Sequence, residues 1–369
     1  MTLLSNALDH TPSTRSRLSV VDCDIHPTLS HPTALHPYLS QVWRDHLDQY
    51  GTFHHTIYAG RGTYPRFTPN TARRDAWPPT GGPPGSDLAF MQSQHLDPHD
   101  IAFGILEPLV EANVTRNTDL STAMCAAVNE WQLDVFASKE PRLKASIVVC
   151  AEDPVGAVQE IEKHAGDRRF AQVQLGARSL EPIGRKRYWP IFAAAQTAGL
   201  PLGFHVGGPS GYAPSASGWP SFYVEDHHVL THGAQAQVTS MILEGVFELF
   251  PKTRVVMIEN GFAWAPPLSW RLDRLWSRMR SEVPHVKRPP SEYMREHVWF
   301  ATQPVEEPER REDLRALFDW IGWDRMMFSS DYPHWDFDDP KRAIQMPMSE
   351  SEKAMLFRDN AMAFYNLAA

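Results

Sequence analysis

Three polar residues at alternate positions, Asp22, Asp24 and His26, lie in a short apolar run that stops at Pro27. Side chains on a strand alternate between its faces. The spacing therefore predicts that all three point the same way, with His26 at the strand's end. A carboxylate and an imidazole two residues apart at a strand end are a ready pair of metal ligands. A strand entering a turn, with its aspartates bonded to loop backbone, would account for the same residues. What separates these readings is whether the rest of the chain brings matching groups to the same place.

Similar run-and-polar-end arrangements recur along the chain. Glu107, Arg178, His205 (in Phe204-His205-Val-Gly-Gly), Glu259 (before Asn260-Gly261), Gln303 and Asp331 (in Ser329-Ser330-Asp331-Tyr-Pro-His334) each end or follow a short apolar run. Eight runs read as strands, at about 19–25, 101–106, 144–149, 171–175, 202–206, 254–259, 298–302 and 326–330. Helical segments are expected at about 87–96, 119–138, 154–165, 189–198, 233–250, 262–280 and 308–322, and closing helices at about 340–346 and 351–365. Strands alternating with helices imply parallel βαβ units. Eight units without a break in composition predict one closed (β/α)8 TIM barrel over residues 17–369, preceded by a loose tail at 1–16. A long insertion after strand 1, about residues 28–85, is rich in Pro, Gly, His and Arg and looks helical only at 36–50. A loop of that length is a lid or binding element.

Catalytic groups of such a barrel sit at the carboxyl ends of its strands, where the polar residues collect here. Asp24, His26, His205 and Asp331 are thus expected to converge as a mixed nitrogen and oxygen ligand set. That set suits one divalent metal with open positions, zinc first, manganese or iron as alternatives.

Composition narrows the class. The formal charge of −9 leaves no basic footprint for nucleic acid or an anionic membrane. The three cysteines form no disulfide framework or zinc-ribbon spacing, which suits a reducing compartment. No run has the roughly 18 apolar residues of a membrane span, and no signal-peptide core opens the chain. The expectation is a cytoplasmic enzyme, and the 17 histidines favour metal or acid–base chemistry.

The motifs resemble the amidohydrolase-related proteins, in the branch containing aminocarboxymuconate semialdehyde, resorcylate and carboxyvanillate decarboxylases. The pieces that carry the likeness are Asp22-Cys-Asp24-Ile-His26-Pro, Phe204-His205-Val-Gly-Gly, Phe247-Glu-Leu-Phe-Pro through Glu259-Asn-Gly-Phe-Ala-Trp264, Phe300-Ala-Thr-Gln-Pro, Phe328-Ser-Ser-Asp331-Tyr-Pro-His-Trp-Asp and Asn360-Ala-Met-Ala-Phe-Tyr-Asn366. The resemblance implies a metal held by Asp24, His26, His205 and Asp331, and a homodimer. Two departures are visible. A carboxylate, Asp24, replaces the first histidine of the usual His-x-His pair, and Glu259 stands where a strand 6 histidine often carries the proton.

The activity this implies is non-oxidative decarboxylation of a small aromatic or unsaturated acid. Glu259 or His228 would protonate the carbon, and Asp331 would be both ligand and proton shuttle. Arg178, Arg61 or Arg66 would clamp the anionic substrate, Trp219, Phe222 and Tyr223 would wall the pocket, and Asp22 and His334 would support the ligands from behind. Hydrolysis of an amide, ester or lactone uses the same ligands, with metal-bound water as nucleophile and Asp331 as base. A barrel that has lost catalysis and only binds is the alternative from another class.

Overall fold

The computed structural model describes residues 18–52, 66–109, 116–208 and 213–368. The 1–16 tail and part of the 28–85 insertion lie outside these. Eight strands form one parallel sheet in the order of the chain: β1 Val20–Ile25, β2 Ile101–Leu106, β3 Leu143–Val148, β4 Phe170–Gly176, β5 Leu202–His205, β6 Val255–Ile258, β7 Val298–Ala301 and β8 Met326–Met327. Parallel pairing runs through each neighbouring pair from β1 to β8. The ring closes where Cys23 N–H donates to the Phe328 carbonyl at 3.0 Å and His26 N–H to that of Tyr332 at 2.7 Å. This is the expected (β/α)8 barrel.

The described helices are α1 Gln41–Tyr50, α2 Leu88–Met91, α3 Thr118–Gln132, α4 Pro154–His164, α5 Trp189–Ala198, α6 Tyr223–Leu243, α7 Val246–Leu249, α8 Ala265–Met279, α9 Pro290–His297, α10 Arg311–Ile321, α11 Glu350–Ala354 and α12 Asn360–Phe364. Wide π turns extend α2 to Leu96 and α3 to Ala137 and join α11 to α12. Strand residues facing the helices join a large apolar layer. Val21, Cys23, Ile105, Ala171, Val256, Ile258, Ala301 and Met327 pack in a second cluster with Phe364 and Tyr365 of the C-terminal segment. No helix among the described residues is long and apolar enough to cross a membrane.

Four local features differ from the sequence expectation. α6 starts at Tyr223, ten residues before Gly233, because its first turns are polar and lack an apolar stripe; Glu225 and Asp226 there complement the helix dipole. The single expected helix to Phe250 is broken at Gly245, whose φ of 79° is left-handed. α9, short and opened by prolines, has no counterpart among the expected helices. Residues 340–346 form turns, not a helix.

Strict alternation on β1 also fails. Its register against β2 shifts between Asp22 and Ile25. The Asp22 carboxylate consequently meets His95 and Ser330, while that of Asp24 meets His26 and His205.

Candidate metal centre

Strand ends place every member of the cluster. Asp24 and His26 come from β1 and the residue after it, His205 is the last residue of β5, Glu259 follows β6, and Asp331 lies four residues past β8. His26 Nε2 is 3.1 Å from Asp24 Oδ1 and 2.7 Å from Asp331 Oδ1. His205 Nε2 is 3.0 Å from Glu259 Oε2 and 3.9 Å from Asp24 Oδ1. One ligand atom from each of Asp24, His26, His205 and Glu259 falls within 4.8 Å of the others, and so does a set of His26, Glu259, Asp331 and His334. Glu259 thus joins the donors, a place the sequence reading did not give it.

The imidazoles are aimed by their other nitrogens. His26 Nδ1–H donates to the Glu107 carbonyl at 2.7 Å and His205 Nδ1–H to that of Val206 at 2.8 Å. This tautomer turns both Nε2 lone pairs to the centre. Both Asp24 oxygens, both Nε2 atoms and Glu259 Oε2 are buried without a hydrogen-bond partner among the described residues. Leaving such groups unpaired costs several kcal/mol in total, and a divalent cation among them would remove the cost. The residues present fit one divalent metal.

The local field supports that fit. Burial alone would lower the pKa of His26, but Asp24 and then Asp331 outweigh it and hold the imidazole well above its usual value. For His205 burial pulls downward, but Glu259 and Asp24 together outweigh it and raise the imidazole. Burial, then the charge of Glu259, pushes the Asp331 carboxyl well above the carboxylate range. His334 moves the other way, to about 4, through burial and the nearby His26. The carboxylates draw positive charge to this point, and a metal ion supplies it without a proton. Glu259 and Asp331 hold left-handed backbone, φ 54° and 60°. Such strain in a non-glycine residue is kept where the surrounding structure enforces it.

Around the donors lies a layer of supports. Asp22 accepts four hydrogen bonds: from Ser330 N–H (2.9 Å), Ser330 Oγ–H (2.5 Å), Asp24 N–H (3.2 Å) and His95 Nε2–H (2.7 Å). His95, fully buried, stacks on Tyr332 at 4.5 Å. Gln303 Nε2–H donates to Asp331 Oδ2 (3.2 Å) and Asp336 Oδ2 (3.1 Å), and Asp336 pairs with His227 Nε2 at 3.2 Å. His334 Nδ1 is 2.6 Å from Asp331 Oδ1, and its ring stacks on His26 at 4.2 Å. The sequence reading left His95, Asp336 and His227 without a role. For His95 no signal pointed there, since it lies on a helix that looked ordinary.

Other expected site residues fall less neatly. His228 is solvent-exposed, its ring edge-on to His232; helical rotation turns its neighbour His227 to Asp336 instead, so His228 is not brought to the cluster. Trp219 and Phe222 are 51% and 66% exposed and do not wall the cavity described below. Tyr223 is half-buried at the start of α6 and accepts from Trp335 Nε1–H at 3.0 Å. Arg66 is exposed, and Arg61 lies outside the described residues. The half-buried Arg178 has an unpartnered Nε, and burial lowers its pKa against the pull of Asp226.

Beside the cluster, His26 and His334 form part of the lining of a cavity of about 430 Å3. Its other walls come mostly from the segment after β1, with Leu29, Leu35 and Leu47, together with Leu109 and Met124. Among the described residues the lining holds no lysine or arginine.

Known proteins share this arrangement of strands. The chain is 23% identical over 302 residues to a gamma-resorcylate decarboxylase of Polaromonas sp., covering 76% of this chain and 88% of that one. An amidohydrolase from Mycobacterium avium subsp. paratuberculosis superposes with a TM-score of 0.70 at 23% identity, over 94% of this chain and 99% of the other. A 5-carboxyvanillate decarboxylase from Novosphingobium aromaticivorans, solved with manganese and 4-hydroxy-3-methoxy-5-nitrobenzoic acid, gives a TM-score of 0.70 at 18% identity, over 95% and 96%. The Amidohydrolase family model matches residues 21–367, nearly the whole barrel and every donor above, and the chain belongs to that family.

Proposed function

We propose that the protein is a metal-dependent carboxy-lyase that removes carbon dioxide, without oxidation, from a small aromatic or unsaturated carboxylic acid. The observation that carries this reading is a buried set of unpaired metal donors opening, through His26 and His334, onto an apolar cavity. An apolar wall disfavours a carboxylate and tolerates neutral carbon dioxide, so the surroundings favour the direction of bond breaking. The decarboxylases among the similar proteins add support.

Asp24, His26, His205 and Asp331 would hold the metal, with Glu259 as a further donor. When bound, the cation supplies Lewis acidity that stabilises the electron pair left on the substrate. The chain's own part is the proton. Asp331 Oδ1 and His334 Nδ1, 2.6 Å apart, share one. That separation is a hydrogen bond, so a proton can pass directly between the two groups. His334 lines the cavity, so this pair delivers the proton to the carbon that loses carbon dioxide, and RCOO⁻ plus H⁺ becomes RH plus CO2. Glu259 is better placed to hold charge than to carry a proton. Arg178, half-buried and with no ion pair among the described residues, is the proposed clamp for a second acidic group on the substrate.

Zinc and manganese both accept this donor set. The additional carboxylate of Glu259 tilts the preference toward manganese, since oxygen ligands suit it. The enzyme is proposed to work in the cytoplasm as a homodimer, which sedimentation of the purified protein measures. To test the activity, enzyme loaded with manganese or with zinc is given a panel of hydroxybenzoates and carbon dioxide is measured. Release from at least one acid supports the reading. Turnover of a lactone or amide with no carbon dioxide from any acid overturns it in favour of hydrolysis.

A further inference from the structure

The cavity at His26 is larger than a one-ring acid needs. Protein interiors pack at a density of about 0.74 and leave few voids bigger than a water. At that density 430 Å3 accommodates roughly 320 Å3 of ligand, roughly twice the bulk of a hydroxybenzoate. A mostly apolar space of this size does not persist for packing reasons. One end of it is formed by His26 and His334, so anything held there through a carboxylate has its remaining atoms in the rest of the chamber.

The walls say what those atoms are. Leu29, Leu35, Leu47, Leu109 and Met124 offer hydrocarbon and make most of the surface, with Thr28, Thr33, Thr52 and His36 adding polar atoms between them. The charged member of the lining, Asp48, is 63% exposed in its side chain and lies 3.7 Å from His36 Nε2. The pair therefore belongs to the solvent side of the chamber. Leu35 and Met124 are 3% and 5% exposed, so the space is backed by the protein core. Leu47 stands on α1, in the long segment after β1, and is part of the lining. This segment builds a second compartment against the metal centre.

We propose that this compartment is a specificity pocket for an apolar group of the substrate, making the natural substrate a carboxylic acid with a second ring or a branched hydrocarbon substituent. The inference rests on the proposed decarboxylation for the identity of the acid group, though not for the existence of the pocket. A substituent that leaves water for these leucines contributes binding in proportion to its area, and a phenyl group is worth at least about tenfold in affinity.

The test separates the pocket from the reaction. Binding of 2-nitrophenol and of its 4-phenyl and 5-phenyl derivatives to manganese-loaded enzyme is measured by calorimetry. These probes carry a nitro group in place of the carboxylate and cannot lose carbon dioxide. At least one phenyl compound should bind about tenfold or more tightly than 2-nitrophenol. In Leu47→Trp and Leu109→Trp, both at partly exposed positions where a larger side chain can be housed, that ratio should fall at least about fivefold. Equal affinity of all three probes for the wild type, or an unchanged ratio in both folded variants, overturns the pocket. Tight phenyl binding with no carbon dioxide release from any hydroxybenzoate, the matching phenyl-substituted 2-hydroxybenzoates included, leaves the pocket standing and removes the decarboxylation.

Discussion

The two halves of the candidate metal centre are supported in different ways. On the β1 and β8 side, the ligands are tied across the barrel seam by Asp22 to Ser330 and His26 N–H to the Tyr332 carbonyl, and to the flanking elements by Asp22 to His95, His26 to the Glu107 carbonyl and Asp331 to Gln303. On the β5 and β6 side, the supports are fewer and reach only backbone carbonyls of these two strand ends. His205 leans on the carbonyl of its own neighbour Val206, and Asn260 bonds the carbonyls of Phe204 and Ile258. Glu259 Oε2 faces His205 Nε2 at 3.0 Å and accepts no hydrogen bond among the described residues. The groups that back the seam-side ligands are thus held by bonds that need no cation, whereas Glu259 has no such backing; the donor atoms themselves are unpaired on both sides, Asp24 Oδ1, Asp24 Oδ2 and His26 Nε2 as much as His205 Nε2 and Glu259 Oε2, among the described residues. A barrel seam is where sequence-distant strands must be held together, and here the same bonds that close the ring also aim the ligands.

The largest expected effect is from His26→Ala, which removes a donor common to both possible ligand sets. Metal content of the purified variant should drop below a tenth of an equivalent, with activity reduced by at least about a thousandfold. Metal retained at one equivalent would mean that the cation is organised by the β5 and β6 side, reversing the comparison.

Next comes Asp22→Asn. All four partners of Asp22 donate, so an amide sets its own N–H groups against donors. Apparent metal affinity should fall about 10–100-fold, as for other groups that orient a ligand from behind. Competition with a fluorescent chelator reads this. An affinity within about twofold of wild type would make Asp22 a fold residue only.

How much of this was legible in the sequence depends on the kind of signal. Strand ends carrying Asp24, His26, His205 and Asp331 were readable because short apolar runs with polar ends are local patterns, and eight of them specify the barrel. Glu259 was visible as a residue, but its place among the donors depends on a left-handed backbone at the end of β6 that no spacing reveals. His95 touches Asp22 across 73 positions of chain, a contact with no local signature. The choice between His227 and His228 turns on where α6 begins and how it is rotated. Its polar first turns hid both facts.

Removing the metal sharpens the comparison more gently. With chelator present, backbone amides around 204–208 and 258–262 should exchange hydrogen faster by about 3–30-fold, while those around 22–26 and 328–332 change by less than about threefold. Exchange followed by mass spectrometry measures both regions in one experiment. Equal loosening of the two would show that the seam bonds do not preform their half.

The smallest expected effect concerns the outermost support, His227. Its pairing with Asp336 raises the imidazole pKa despite partial burial, and Glu259 and Asp331 add in the same direction; Asp336 is correspondingly lowered, the histidine outweighing burial. A histidine raised in the folded state contributes stability that is fully present below its unfolded value of about 6.5 and is lost as pH climbs through the folded value. The difference in Tm between wild type and His227→Gln should therefore be greatest at about pH 6, on the order of 2 °C, and should shrink steadily as the pH is raised past 8. Tyr223 and Trp335 pack on the same ring and do not titrate across that range, so they leave the slope unchanged. A difference that is flat with pH would assign His227 a packing role alone. A slope of the predicted sign would mean that the support of Asp331 extends through Gln303 and Asp336 to a charge on α6, the helix that starts where the sequence looked like loop.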